Sequence, residues 1–538
     1  MLLIEDASQE KLRGAYYTPP RVADFILRWG LSGFSYPVDI LEPSCGDGVF
    51  IDCLYRGQYS FKSLTGVEVE PDEAAKARDI KLKNSRILTE DFHSFCLNAD
   101  SQYDLIVGNP PFIRYQYYKE EQQKLANKIF SSVALRRSKL TNAWVTFVVG
   151  CTTLLRKNAR MAFVLPSELL MVKYASQLRK LLASVFNKIT IVSFQNLVFE
   201  EIQQEVVLLL CEKNGTSKHQ IEHIEVKDED ELLSLSPAKL SCPTKEIDFC
   251  SDKWTYYFLE KRELDFLKKL KSKMPIIANY ADVEVGITTG SNKYFTVPQR
   301  IVKLFELEEF AKPMVGRSVQ VNSLCLTPED WLANVEAGAN ANLLVFKPGI
   351  RETGNPGVRA YILNGESEGV NKGYKTSIRD DWYVIPSIKL SDALFLRRNN
   401  LYPKFVLNEA HAYTTDTMHR VYIHSGINKR AFVASYYNSV SFVFAELLGR
   451  NFGGGCLELM PSEVEGIYLP YRECNETLFD TIDTMLRQKV ETSEILNYTD
   501  PIILGKGMGL SDEEIALARK LWQKLMDRRH NRAASSKA

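Results

Sequence analysis

Four consecutive residues, Asn109-Pro110-Pro111-Phe112, carry the most specific chemistry in the sequence. The two prolines stiffen a turn and remove two backbone donors. What remains is the Asn109 carboxamide oxygen and the Pro110 carbonyl. These two acceptors match a planar amino group, which offers two N–H bonds. Phe112 adds a face on which a flat ring can stack. The pattern suits chemistry on an aromatic amine, whose lone pair is a poor nucleophile until acceptors localise it and hold it in place.

Three earlier stretches lend this turn a ligand site. Asp39 to Phe50 contains Glu42-Pro43-Ser44-Cys45-Gly46-Asp47-Gly48, an acid followed by a small-residue turn. Gly46 and Gly48 let backbone approach a ligand closely. The stretch lacks the G-x-G-x-x-G pattern, and no phosphate-cradling lysine follows it. A nucleoside-type ligand without a pyrophosphate therefore fits better than NAD or ATP. Glu68 ends the next apolar run, about 20 residues on, where an acid holds both ribose hydroxyls in nucleoside-binding folds. Asp91-Phe92 follows a third run, an acid to accept from an adenine amine and a ring to pack against it.

These residues need a common scaffold. Strand-like runs lie at 39–41, 64–69, 86–88, 104–107, 161–165, 189–193 and 205–211, with helical patterns at 21–29, 72–81, 143–155 and 174–184. Such alternation predicts an α/β, Rossmann-like domain: a mostly parallel seven-stranded sheet covered on both faces. The last two runs, joined only by a loop, are expected to pair antiparallel at the sheet edge. Ligands then bind beyond the strand C-termini, where all four stretches end.

At 538 residues the chain exceeds one ordinary domain. Residues 1–212 read as the catalytic domain. Residues 213–253, with the acidic run Asp228-Glu229-Asp230-Glu231, read as a linker or arm. Residues 254–505 are rich in short β-like runs, glycine and aromatics, and predict a second, α+β domain. Ser511-Asp512-Glu513-Glu514 is a capping box that opens a helix, so 506–538 reads as a terminal helix with a basic tail. Lys+Arg and Asp+Glu both number 67, which excludes a uniformly basic coat but not a localised basic surface. No signal peptide or membrane-spanning run is evident, and the scattered cysteines without a CxxC predict reduced core thiols and no metal site. A cytoplasmic protein with no membrane association is expected.

In this order the motifs resemble those of the class I S-adenosylmethionine-dependent methyltransferases. The Asn-Pro-Pro-Phe turn is similar to that of the DNA enzymes that make N6-methyladenine. Gly14-Ala15-Tyr16-Tyr17-Thr18-Pro19-Pro20 resembles their N-terminal cofactor motif. Its position before the Gly-rich turn, with a large domain after the catalytic one, is the gamma arrangement of restriction–modification adenine methyltransferases. The resemblance is strong over about residues 11–212. Beyond it, Val285 to Phe295 and Asn451-Phe452-Gly453-Gly454-Gly455 look like pieces of the family's target-recognition region. One departure is Phe112, where many members carry tyrosine; stacking survives, but a phenol contact does not.

The resemblance implies S-adenosylmethionine as cofactor and S-adenosylhomocysteine as product. It places Tyr17, Thr18, Glu42, Ser44, Cys45, Gly46, Asp47, Gly48, Glu68, Val69, Asp91, Phe92 and Asn109 around the cofactor. Asn109, Pro110, Pro111 and Phe112 form the catalytic turn, and Phe199 is a second aromatic for a flipped-out base. Candidate DNA contacts are Arg114, Tyr115, Arg136 and Arg137 after the turn, and Thr289, Ser291, Asn292 and Lys293 in the second domain. The implied partner is duplex DNA, with a companion restriction endonuclease or defence protein and a monomer as the expected unit. An RNA base methyltransferase and a protein-glutamine methyltransferase share the turn; the long C-terminal domain and the motif order speak against both.

Overall fold

The computed structural model describes residues 17–113, 117–138, 141–196, 205–216, 218–237, 240, 243–247, 253–353, 355–452 and 455–534. Two compact units divide the chain, the first comprising Met1–Leu264 and His530–Ala538 and the second Asp265–Arg529.

The first unit alternates strands and helices. In chain order these are α1 (Pro20–Leu31), β1 (Asp39–Glu42), α2 (Val49–Arg56), β2 (Ser63–Glu68), α3 (Pro71–Asp79), β3 (Ser85–Thr89), α4 (Phe92–Asn98), β4 (Tyr103–Gly108), α5 (Glu120–Ser132), α6 (Ala143–Thr153), β5 (Leu155–Pro166), α7 (Ser176–Val185), β6 (Lys188–Phe194), β7 (Val206–Glu212), β8 (Gln220–Val226), α8 (Glu229–Ser234) and β9 (Lys245–Glu246). α1 starts with Pro20, whose missing N–H costs nothing there, and buries Val22, Phe25, Ile26 and Trp29 on one face. β1 and β4 are buried along their whole length, as expected of central parallel strands covered on both faces.

The strands form one sheet in the order β3-β2-β1-β4-β5-β7-β6-β8-β9. β1, β2, β3, β4 and β5 are parallel neighbours, which is the Rossmann-like half expected from the alternation. Two expectations need correction. The sheet has nine strands, not seven, and the antiparallel β6–β7 pair is not at its edge. β7 is inserted between β5 and β6, antiparallel to both, and β8 then adds parallel to β6. Residues 213–253 are not a linker. β8 and β9 extend the sheet, and α8 lies between them, with Asp228 accepting from the Glu231 N–H as its cap. The acidic run is anchored to α1 through Arg21, which bonds Asp230 at 2.5 Å. Polar composition misled here because β8, Gln220-Ile221-Glu222-His223-Ile224-Glu225-Val226, is more than half polar where the central strands are mostly apolar.

An ionic clasp fixes the two central strands at the end remote from the ligand loops. The pairing of β4 with β5 shifts register between Tyr103 and Leu105, and the irregularity holds Arg156. Its Nη1 lies 2.8 Å from Asp39 Oδ2 and 2.6 Å from Asp104 Oδ2. Asp104 Oδ2 also accepts from the Asp39 N–H at 3.0 Å. Burial would raise the Asp39 carboxyl, but bonds from Ser63, Arg156 and Lys62 outweigh it and hold the group at about 2.

The second unit is mixed α and β, as expected. Its sheets have five strands (in order Ala281–Val285, Met418–Ile423, Ala393–Leu396, Phe405–Asn408 and Cys325–Leu326), four (Thr296–Val297, Asn342–Leu344, Ala311–Val315 and Tyr413–Thr414) and three (Arg398–Asn399, Cys456–Glu458 and Arg450–Phe452). Its most buried helix, Ser439–Leu448, is enclosed on all sides. Among the described residues no single helix is long and apolar enough to cross a membrane. The bent pair Lys429–Ser435 and Ser439–Leu448 is long enough only when its two helices are joined, and Ala431–Ser435 and Ser439–Leu447 are buried in the unit. The expected helix opens at Ser511, where Glu514 and Ser511 bond each other's backbone N–H groups. It runs to Ala534. Two of its cations are held inside the unit: Arg519 bonds Asp500, and Arg529 is fully buried against Glu446. Cys45, Cys53, Cys96, Cys151, Cys211 and Cys325 are buried free thiols.

Candidate active site

The turn after β1 is shaped by its glycines and by its neighbours. The Cys45 N–H donates to the Val67 carbonyl, and the Gly48 N–H closes the turn on the Cys45 carbonyl at 2.9 Å. Gly48 has φ +95, and a Cβ there would lie 2.8 Å from Ile80 and 3.0 Å from the Ala77 backbone, so only glycine lets α2 start against α3. At Gly46, φ +52, a Cβ would meet nothing within 4 Å, and that side of the loop is open.

Glu68 braces this loop. Its Oε2 accepts from the Gly46 N–H and its Oε1 from the Glu70 N–H, each at 2.9 Å. Val69 beside it is half exposed, an apolar surface next to an acid. Thr18 is buried, whereas Tyr17 is exposed with its hydroxyl donating to Glu73.

Glu42 is 1% exposed, and its Oε2 meets no hydrogen-bond donor among the described residues. Burial, then Glu68, then Asp47 push its carboxyl well above the usual range. Glu68 and Asp47 are themselves raised, each chiefly by burial. A buried acid without a donor, beside two further acids, is complementary to a ligand that brings N–H donors and positive charge. S-adenosylmethionine carries an ammonium and a sulfonium, so these residues fit it.

The Asn109 turn follows β4 directly, next to β1. Ser44 Oγ donates to the Asn109 carbonyl at 3.2 Å, which ties the acidic loop to the Asn-Pro-Pro-Phe turn. Pro110 is buried, and the Phe112 ring packs against the cores on both faces of the sheet. Sequence spacing thus brings Glu42, Ser44, Cys45, Gly46, Asp47, Gly48, Glu68, Val69 and Asn109 to one end of the sheet.

Asp91 and Phe92 depart from expectation. Asp91 caps α4: its Oδ1 takes the His93 N–H at 2.8 Å and the His93 ring Nδ1 at 2.9 Å, and its Oδ2 takes Gln122 Nε2 at 3.0 Å. Burial alone would raise this carboxyl, yet the bonds from His93 and Gln122 hold it at about 2. The Phe92 ring is a core residue, stacked on Phe147 with centroids 4.5 Å apart, and offers no face to a ligand. Sequence reasoning missed His93, Tyr118 and Gln122. His93 Nε2 lies 3.0 Å from the Tyr118 hydroxyl, so α5 and the segment before it are bound to Asp91 from two directions. The available signal was the capping pattern Asp91-Phe92-His93-Ser94, an acid two and three residues before two N–H groups.

Of the expected DNA contacts, Arg136 is exposed, while Arg137 is half-buried over the Tyr118 ring at 5.1 Å. Arg114, Tyr115 and Phe199 lie outside the described residues, as do residues 14–16 and Gly453-Gly454. In the second unit, Thr289 is not a surface group. It is 1% exposed, and its hydroxyl donates to Asn292 Oδ1 at 2.6 Å. Asn292 and Lys293 are exposed and Ser291 partly so. Among the described residues no group of three or more His, Cys, Asp or Glu side chains could hold a metal ion.

Two family models match the chain. Residues 58–199 match the Eco57I restriction-modification methylase. Residues 251–504 match the C-terminal domain of the Type II methyltransferase M.Eco57I. Type II methyltransferase M.AccI of Acinetobacter calcoaceticus is 24% identical over 525 residues, covering 91% of this chain and 93% of that protein. Type II methyltransferase M.HindII of Haemophilus influenzae is 25% identical over 347 residues, 60% of this chain and 62% of the relative. The structure of the type IIG restriction endonuclease BpuSI superposes with a TM-score of 0.42 at 13% identity, covering 98% of this chain and 67% of that one. With methylase models matching in both units and a relative aligned nearly end to end, the chain belongs to the DNA methyltransferases of restriction–modification systems, and its motif order is consistent with their gamma arrangement.

Proposed function

We propose that the chain transfers the methyl group of S-adenosylmethionine to the N6 amine of an adenine flipped out of duplex DNA at a specific sequence. The observation that carries this reading is the Ser44–Asn109 bond, which joins a loop suited to a cationic nucleoside to a turn suited to an aromatic amine. In this reading Asn109 Oδ1 and the Pro110 carbonyl accept the two N6–H bonds. That localises the lone pair and stabilises the positive charge that develops as the new bond forms. Phe112, with Phe199, stacks on the extruded base and offsets part of the few kcal/mol that flipping costs. When bound, S-adenosylmethionine supplies an electrophilic methyl group on sulfur. Glu42, Ser44, Cys45 and Asp47, with Tyr17 and Thr18, hold its methionine part. Glu68 holds the ribose, and Val69 lies against the adenine.

The same reading makes duplex DNA the macromolecular partner and a companion restriction endonuclease or defence protein the functional one. A monomer working in the cytoplasm is the expected unit. The test is modification-sensitive sequencing of DNA from cells that express the chain, beside the Asn109→Ala variant. N6-methyladenine at one defined sequence is expected. The variant should lose at least about 10²–10³-fold in turnover while cofactor binding largely persists. Methylation of cytosine instead, or near-normal adenine methylation by the variant, would overturn the reading.

A further inference from the structure

Tyr374 is 79% exposed, more than any other large apolar or aromatic side chain among the described residues, and Ile378 on the same loop is 70% exposed. Single exposed apolar residues are ordinary on a protein surface. These two stand on a loop built to hold still. Thr376, between them, is fully buried, and its hydroxyl donates to the Val370 carbonyl at 2.5 Å and the Gly373 carbonyl at 2.9 Å. Arg379 closes the loop from below: its Nη2 bonds the Thr289 carbonyl at 2.9 Å and the Thr288 carbonyl at 3.3 Å. Gly290 has φ +88, and a Cβ there would lie 3.0 Å from Thr376 Cγ2 and 3.2 Å from Lys375 Cβ. Only glycine lets the 288–292 segment and this loop come so close.

The stretch Val285 to Phe295 therefore acts as a foundation. Thr289, expected from the sequence to contact DNA, is buried in it beside Tyr294. The groups presented to solvent belong to the loop it supports. From Gly369 to Arg379 the sequence has Lys372, Lys375 and Arg379 and no acid. Lys372 and Lys375 are exposed, and the Lys375 ammonium lies 5.5 Å from the centre of the Tyr374 ring. Exposed Lys293 lies on the supporting segment.

We propose that the 369–379 loop is a sequence-reading element for duplex DNA, with Tyr374 and Ile378 meeting base edges and Lys372 and Lys375 meeting phosphates. This rests on the reading of the chain as a DNA methyltransferase. Cations beside apolar side chains on a preorganised loop match a groove, where phosphates flank base edges and thymine methyl groups. Holding the loop rigid beforehand avoids an ordering cost on binding.

The test uses the full-length chain with three variants, Tyr374→Ala, Ile378→Ser and Lys372→Ala/Lys375→Ala. Methylation is mapped by modification-sensitive sequencing, and affinity for a duplex carrying the site is measured against salt. The lysine double variant should weaken binding for all sequences alike and lower the log–log salt slope by about 2. Tyr374→Ala or Ile378→Ser should lower discrimination against sites altered at one position by about tenfold or more, without changing the salt slope. All four side chains are exposed, and unchanged cofactor affinity and melting temperature would show that the fold is intact. Variants that keep the parent's site preference and salt slope would overturn the proposal, and so would effects confined to binding of another protein. A parent that methylates no DNA would instead overturn the function on which it rests.

Discussion

At the residue scale, Glu42 is the side chain whose state depends most on what binds. Its carboxyl is raised by burial and by Glu68 and Asp47. A cationic ligand would pull it back down, so binding should release protons. Affinity for S-adenosylmethionine is then expected to strengthen as pH rises toward the raised carboxyl value. Calorimetry in buffers of different ionisation enthalpy should detect the released proton. Glu42→Gln should weaken binding and flatten its pH dependence; a variant with the parent's pH profile would place the linkage elsewhere. The motif residues were legible because their chemistry is local: an acid, small residues and prolines announce a turn by type alone. Asp91 and Phe92 were half legible. Their position after a strand is a sequence property, but the direction of the Phe92 ring is decided by Phe147, 55 residues on, which no local pattern reveals.

At the element scale, α4 and α5 are joined through one carboxylate. Asp91 caps α4 and holds Gln122 of α5, and the His93–Tyr118 bond reinforces the link. The native carboxyl sits at about 2, below the roughly 3.9 of an unfolded aspartate. Its contribution is therefore fully present above about pH 4 and is lost as pH falls through the native value. Asp91→Ala should cost about 1–2 kcal/mol at neutral pH, as loss of a good cap does. Denaturant unfolding should show that deficit shrinking toward pH 2. A deficit that stays constant with pH would mean that lost packing, not the charge, is responsible. The strands followed from composition where they are buried on both faces. β8 did not, because its polar residues look like a linker until the strand pairs with β6. For the same reason the position of β7 was hidden: antiparallel pairing with β6 is a local property, but its insertion beside β5 is not.

At the scale of the whole chain, the second unit closes on residues far apart in sequence. Arg529, near the end of the last helix, bonds Glu446 through Nε at 3.1 Å and through Nη2 at 2.7 Å. The same guanidinium donates to the carbonyls of Asn400, Leu401 and Gly455. Arg529→Met should destabilise the second unit by about 3–5 kcal/mol, because Glu446 would be left buried without its counter-charge. The unfolding transition of that unit should move to lower temperature or denaturant. An unchanged transition would show that the helix end adds nothing to the unit's stability. The zero net charge of the chain follows the same logic. Many of its cations are spent internally, as Arg156, Arg519 and Arg529 show, so the surface cations of single loops matter more for DNA than the overall balance.

The nine-stranded sheet ends on β9, the two residues Lys245-Glu246. A long, flat final strand would offer a row of unpaired backbone groups to any neighbouring copy. Here the outermost strand is two residues long and covers only Gln220 and Ile221 of β8, and both of its side chains are charged. Such a margin gives an incoming chain little to pair with and makes it desolvate a lysine and a glutamate to do so. The added strands that look like a polar linker in the sequence therefore also act as a guard against strand-by-strand aggregation.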